Sequence, residues 1–280
     1  MAASAHIAPI VYLAPMAARP RSYTFEPPPG VPWRTGKDEM VAVAIDDARS
    51  LKGGGDLDRE GFALVAFEPR FSAWDDVAAL KRDYYPEASE FVACRTGAPL
   101  VVAFDHNLRS SAVTGRAASG VREPAKRAHG DFTAQSGGKR AREELAAAGI
   151  DPGILARRRF ALVNLWRPIR GPVLVSPLAL CDARTVAPDD LVLTDLVHPN
   201  RMGEIYSLRH NPAHHWYYVP GMRTDEALLI KCFDSDEAAA ARFTPHGAFE
   251  DPTSPPEAPA RLSIEGRTPL MFDARGAGAP

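Results

Sequence analysis

From residue 159 the chain reads RFALVNLWRPI (159–169), GPVLVSPLALCD (171–182), DLVLTDLV (190–197), GEIYSLRHN (203–211), HHWYYVPGM (214–222), EALLIKCFDS (226–235) and RLSIEGRTPLMFD (261–273). Each piece is short, rich in β-branched and aromatic residues, and bounded by Pro, Gly, Asn or Asp, which is the pattern of a strand between turns. No helical pattern of comparable strength interrupts them. This density predicts a mainly β fold with flanking helices, a double-stranded β-helix or jelly-roll of the cupin-like kind.

Upstream, IAPIVYL (7–13), VAVAI (41–45), GFALVAF (61–67) and APLVVAFDHNLR (98–109) also read as strands. A proline-rich excursion between the first two should wrap across the surface. WDDVAALKRDYYPEASEFVACRTG (74–97) carries apolar residues at helical spacing, with Pro86 set to kink or divide the helix. A second helix is expected from Ser136 or Gly137 through KRAREELAAAG, and Asp151–Pro152 should cap a third, short one. The expected organisation is a single domain over 1–280, with a strand and helix region of about 1–126 packed on a barrel core of about 127–273.

With 280 residues, 45% hydrophobic and 24% charged, the chain can bury a substantial core. A formal net charge of -2 excludes a global field that would recruit nucleic acid or an anionic membrane. The basic stretch over 109–130 reads as a solvated loop, its Ser- and Gly-rich part (110–126) as a mobile one, with a lid over a neighbouring site left open. No apolar run approaches the length of a membrane span. Three scattered cysteines, Cys94, Cys181 and Cys232, share no metal-type spacing and indicate reduced thiols and a cytoplasmic location. The apolar start lacks a basic leader region and is broken by Pro9 and Pro15, so it reads as an early strand.

Chemistry concentrates in RAHGDFTAQSGG (127–138). On extended backbone, His129 and Asp131 project from one face and can grip one ion together. A further histidine from elsewhere would complete a two-His, one-carboxylate triad with open metal positions. A His-x-Asp triplet alone is weak evidence, since such triplets arise often by chance. The second informative stretch is FTPHGAFEDPTSPPEAPARLSIEGR (243–267): His246, then fifteen positions on Arg261–Leu262–Ser263. Arg261 and Ser263 share one strand face. Turned into a barrel, a guanidinium fork and a hydroxyl would clamp the far carboxylate of a dicarboxylate; turned outward, Arg261, Ser263, Glu265 and Arg267 would form a solvated stripe. His-x-Asp, a run of strands, His and Arg-x-Ser, with 115 positions between Asp131 and His246, is the order used by Fe(II)/2-oxoglutarate oxygenases.

The chain resembles the group of non-haem iron oxygenases that includes CmcJ, NvfI and AsaB. The resemblance runs over nearly the full length, through YLAPM, YTFEPPPGVP, AIDDAR, TGAPLVVAFDHNLR, the HGD triplet, NLWRPI, HHWYYVPGM, PHGAFEDP and RLSIEGR. It implies a hydroxylase/desaturase of secondary metabolism that oxidises a small molecule with Fe(II), 2-oxoglutarate and O2. It puts His129, Asp131 and His246 on the metal and Arg261, helped by Ser263, on 2-oxoglutarate. Asn164, which shares a strand face with Trp166, is a candidate to hydrogen-bond a metal-bound carboxylate or else barrel backbone. Arg167 is read as a strand-end surface residue or an acid-binding one. One of the pairs His215/Tyr217 and Trp216/Tyr218 is a candidate pocket lining, with core packing the commoner fate of buried aromatics. His106 is read as structural or as supporting a ligand; His198, His210 and His214 are placed in solvated turns. Two other readings stay open: a non-catalytic accessory or binding protein on the same barrel, and a zinc hydrolase, which would leave Arg261 and Ser263 without a purpose. The substrate, the oxidative outcome and the oligomeric state are not legible.

Overall fold

A computed structural model describes residues 6–115 and 120–272. The strands form two sheets. The larger contains β1 (His6–Leu13), β2 (Arg21–Tyr23), β3 (Asp38–Asp47), β7 (His129–Gly130), β9 (Leu178–Cys181), β10 (Leu191–Val197), β11 (Met202–Leu208), β12 (Trp216–Tyr218) and β14 (His246–Ala248), in the order β1-β3-β12-β9-β14-β7-β11-β10-β2. The smaller runs β4 (Phe62–Ala66), β13 (Glu226–Asp234), β8 (Phe160–Arg170), β15 (Leu262–Met271) and β5 (Leu100–Val101), with β6 (Asp105–Ser110) also paired to β15. This is the jelly-roll class, mainly β with helices outside. The strands before residue 127 hydrogen-bond into both sheets, β3 beside β12 and β4 beside β13.

Burial explains why β8 and β13 lack polar alternation. Trp166 and Leu162 from one face of β8, with Leu228 and Ile230 of β13, meet Leu178 and Leu180 of the larger sheet between the layers. From the opposite face, Val163, Leu165, Leu229 and Ile264 pack under α2 (Tyr85–Thr96) through Ala88 and Val92. A sheet covered on both faces needs apolar residues at nearly every position. Pro86 stands in the first turn of α2, where its missing N–H costs nothing. The helix expected to be kinked or divided at Pro86 is divided there: the segment before it is a single turn α1 (Val77–Ala79) followed by a π-type turn over Leu80–Tyr84.

The helix after the HGD triplet, α3 (Ala134–Ala147), begins two residues before the expected start. Thr133 Oγ1 accepts from Ser136 N at 3.0 Å and Ser136 Oγ accepts from Thr133 N at 2.8 Å, a reciprocal cap that ends the extended segment carrying His129 and Asp131. Gly137 lets α3 lie against Phe233, because a Cβ there would stand 2.4 Å from the ring. The lid considered for 110–126 falls partly on residues 116–119, which lie outside the described residues.

Candidate metal centre

Strands β7 and β14 are neighbours, and their register sets His246 opposite His129. The two rings are 4.8 Å apart, centroid to centroid. Asp131, one residue past β7, points the same way as His129, with Oδ1 3.7 Å from His129 Nε2. One ligand atom from each of the three side chains lies within 4.8 Å of the others. Residues separated by 115 positions are thereby brought to one point.

Hydrogen bonds set the tautomers. His129 Nδ1 is 2.9 Å from the Arg127 carbonyl and His246 Nδ1 is 3.0 Å from the Thr244 carbonyl. A carbonyl only accepts, so each Nδ1 carries the proton and each Nε2 offers its lone pair to the cluster. Burial, reinforced by neighbouring His246, pulls the His129 pKa down to about 3 and keeps the ring neutral, the form that ligates. Burial alone would raise the Asp131 carboxyl. The Arg267 guanidinium, the two histidines and the Asn164 amide outweigh it and hold this acid well below the usual carboxylate range.

That support comes from the smaller sheet. Asn164 Nδ2 donates to Asp131 Oδ2 at 2.6 Å and to Glu265 Oε1 at 3.0 Å. Arg267 Nη2 lies 3.5 Å from Asp131 Oδ1 and 3.4 Å from Glu265 Oε1, while its Nη1 pairs with Asp105 at 3.2 Å. The Cys232 thiol lies 3.9 Å from Asp131 Oδ2. Glu265, Arg267, Asp105 and Cys232 were not singled out from the sequence as parts of this centre. Glu265 and Arg267 belong to the Arg-x-Ser-x-Glu-x-Arg alternation, which carries the signal once its face is known to turn inward.

Arg261 and Ser263 sit on that same inward face. Arg261 is 2% exposed, stacks its guanidinium 5.6 Å from the Trp166 ring, and donates Nη1 to the Ser176 carbonyl. Its Nε and the Ser263 Oγ are buried with no hydrogen-bond partner among the described residues. Burial, with Arg109 adding its charge, pulls the Arg261 pKa down to about 9. Two orphaned polar groups one pleat apart, one of them cationic, fit a carboxylate ligand. The donor set of the cluster likewise fits a divalent transition metal with open positions.

A cavity of about 1180 Å³ opens onto His129 and Asp131; its wall also includes His106, Arg109 and Arg267. His106 is hydrogen-bonded through Nδ1 to Tyr85 Oη at 2.8 Å and takes no part in the cluster. Neither pair of the HHWYY segment lines this cavity: Tyr217 packs on Phe62, and Trp216 donates Nε1 to Tyr12 Oη at 2.7 Å. His214 is not solvated. It stacks on Tyr12 and pairs with Asp190 at 3.1 Å, because β1 crosses over the turn that holds it. Arg167 is a packing residue rather than a surface one, 4% exposed, donating to the Thr224 carbonyl and lying over Trp74.

A jelly-roll barrel with two histidines and one carboxylate converging inside it defines the non-haem iron oxygenase class. Residues 10–272 match the family described as the oxidoreductase/YMDC permease-like domain, and the chain belongs to that family. It is 32% identical over 253 residues to the hydroxylase/desaturase efuI of Hormonema carpetanum, covering 82% of this chain and 83% of that protein. It is 33% identical over 242 residues to the Fe(II)/2-oxoglutarate-dependent dioxygenase nvfI of Aspergillus novofumigatus, covering 83% and 84% respectively. The solved structure of the iron and alpha-ketoglutarate-dependent endoperoxidase NvfI superposes with a TM-score of 0.85 at 27% identity, over 96% of this chain and 99% of that one.

Proposed function

We propose that this chain is a single-domain Fe(II)/2-oxoglutarate-dependent oxygenase that oxidises a small organic molecule, with His129, Asp131 and His246 holding the iron. The observation that carries the reading is the convergence of two Nε2 lone pairs and one ionised carboxylate within 4.8 Å, each held from behind. The hydroxylase/desaturase and dioxygenase relatives support it. Bound Fe(II) with 2-oxoglutarate and O2 supplies an oxidant able to cleave a substrate C–H bond.

The chain's own residues do the positioning. Asn164 and Arg267 fix the rotamer of Asp131 and keep it anionic, so that it offers one oxygen to the ion rather than titrating. Arg261 and Ser263 receive the far carboxylate of 2-oxoglutarate, relieving a buried unpaired guanidinium. The aromatic and aliphatic walls between the sheets exclude water from the reacting centre. The accessory-protein alternative gives no reason for a complete ligand set with both tautomers prepared. Among the described residues no helix is long and apolar enough to cross a membrane.

The test is anaerobic addition of Fe(II) and then 2-oxoglutarate to the purified protein. A visible charge-transfer absorption requiring both additions is expected. Binding of iron with no such absorption would sink the 2-oxoglutarate assignment, and no iron binding at all would sink the whole reading.

A further inference from the structure

We propose that the cavity beside the metal centre is built for an organic anion: a substrate with an apolar body and a carboxylate that Arg34 and Arg109 receive. This rests on the oxygenase reading and concerns the substrate class of the same site. The cavity wall carries eight Lys and Arg side chains against five carboxylates. Several of the cations are already paired: Arg127 with Asp38 at 2.5 Å, Arg140 with Glu144 at 2.9 Å, and Arg267 with Asp105 and Asp131.

Arg34 and Arg109 are different. Among the described residues neither has a carboxylate within 4.0 Å. The hydrogen bond of the Arg109 guanidinium, from Nη1, goes to the Glu123 carbonyl at 2.8 Å and leaves its other donors to the cavity. Asp38 and Glu123 act on Arg34 only from beyond pairing distance. Arg109 stands on β6 opposite Ser263, so its side chain shares the inward face of the centre, whereas Arg34 is exposed and marks the mouth.

Further cations crowd both: Arg267 and Arg34 act on Arg109, and Arg127 acts on Arg34, while the carboxylates that face them, Glu265 and Asp131 for Arg109 and Asp38 and Glu123 for Arg34, stand beyond pairing distance. Burial lowers the hold of Arg109 on its proton. An anion between mouth and centre would relieve this repulsion and meet two planar forks. Part of the wall is apolar, through Trp33, Phe104, Leu108, Phe132, Met202 and Ile205. At about 1180 Å³ the cavity has room for a body far larger than 2-oxoglutarate.

The cosubstrate is itself a carboxylate, so the experiment separates the two. Protein loaded anaerobically with Fe(II) and 2-oxoglutarate is titrated calorimetrically with 2-naphthylacetate and with its neutral amide. The parallel titration of 2-oxoglutarate follows the charge-transfer absorption. In the wild type the acid should bind about tenfold or more tightly than the amide, the worth of a charge-assisted hydrogen bond. Arg34→Ala and Arg109→Met should each erase most of that preference while leaving 2-oxoglutarate affinity in place; if Arg109→Met does not fold, Arg34→Ala decides. Equal binding of acid and amide to the wild type overturns the proposal. So does loss of 2-oxoglutarate affinity in the variants, which would assign the pair to the cosubstrate. If the wild type shows no charge-transfer absorption, the 2-oxoglutarate oxygenase reading has failed separately, and the acid-against-amide comparison on metal-free protein still decides the anion site.

Discussion

Replacing Arg261 by Ala separates the cosubstrate from the metal. Among the described residues this guanidinium donates to the Ser176 carbonyl and stacks on Trp166, and its Nε is left without a partner. Removing it costs the fold about 1–3 kcal/mol, offset in part because an unpaired buried charge disappears with it. The loss for 2-oxoglutarate is larger. Deleting one member of a desolvated, charge-assisted pair costs about 2–5 kcal/mol, or roughly 30-fold to several thousand-fold in affinity. Anaerobic titration of the Fe(II)-loaded variant with 2-oxoglutarate, read by its charge-transfer absorption, measures this directly. Iron affinity should stay near that of the wild type, since Arg261, just before β15, lies six residues from Arg267, about 20 Å of extended chain. Arg261→Lys should recover only part of the loss, because an ammonium lacks the planar fork. A variant that binds 2-oxoglutarate as tightly as the wild type would refute the assignment, and a loss seen with Arg109→Met instead would move the clamp to Arg109.

His129→Ala, Asp131→Ala and His246→Ala should each abolish Fe(II) binding in equilibrium dialysis with the fold retained by circular dichroism, whereas His106→Ala, which loses only the bond to Tyr85, should still bind iron. Arg267→Met leaves Asp131 and Glu265 as buried carboxylates without their cation, so it should destabilise the protein by about 3–5 kcal/mol in denaturant melts and weaken iron binding, the reverse of the Arg261 pattern. Asn164→Asp puts a third carboxylate against Asp131 and Glu265 and should lower the thermal midpoint more than Asn164→Ala does; equal effects would show that the amide is not placed between them. Gly137→Ala would press a methyl into the Phe233 ring at 2.4 Å and should cost about 1–3 kcal/mol of stability, checked in the same melts.

Much of this protein was legible in its order of residues because the signals are local. Strand patterning after residue 159 determines the jelly-roll class, since alternation and turn residues depend only on near neighbours. His129 and Asp131 are paired by the two-residue period of an extended chain, which needs no tertiary information. The helix expected over 74–97, kinked or divided by Pro86, is divided just ahead of that proline; the π-type turn at Leu80–Tyr84 before the break was not legible. His214 and Arg167 were misplaced because β1 and Trp74 arrive over them from distant sequence. Only the tertiary structure decided which way the Arg261–Arg267 alternation faces. A stripe of Arg, Ser, Glu and Arg looks solvated by composition, yet the apolar alternates Ile264 and Leu270 have α2 to pack against, so the polar set turns inward. Cross-strand register did the rest. It set His246 opposite His129 and Arg267 opposite Asn164, joining residues whose partnership depends on hydrogen bonds between strands and is not written in either strand alone.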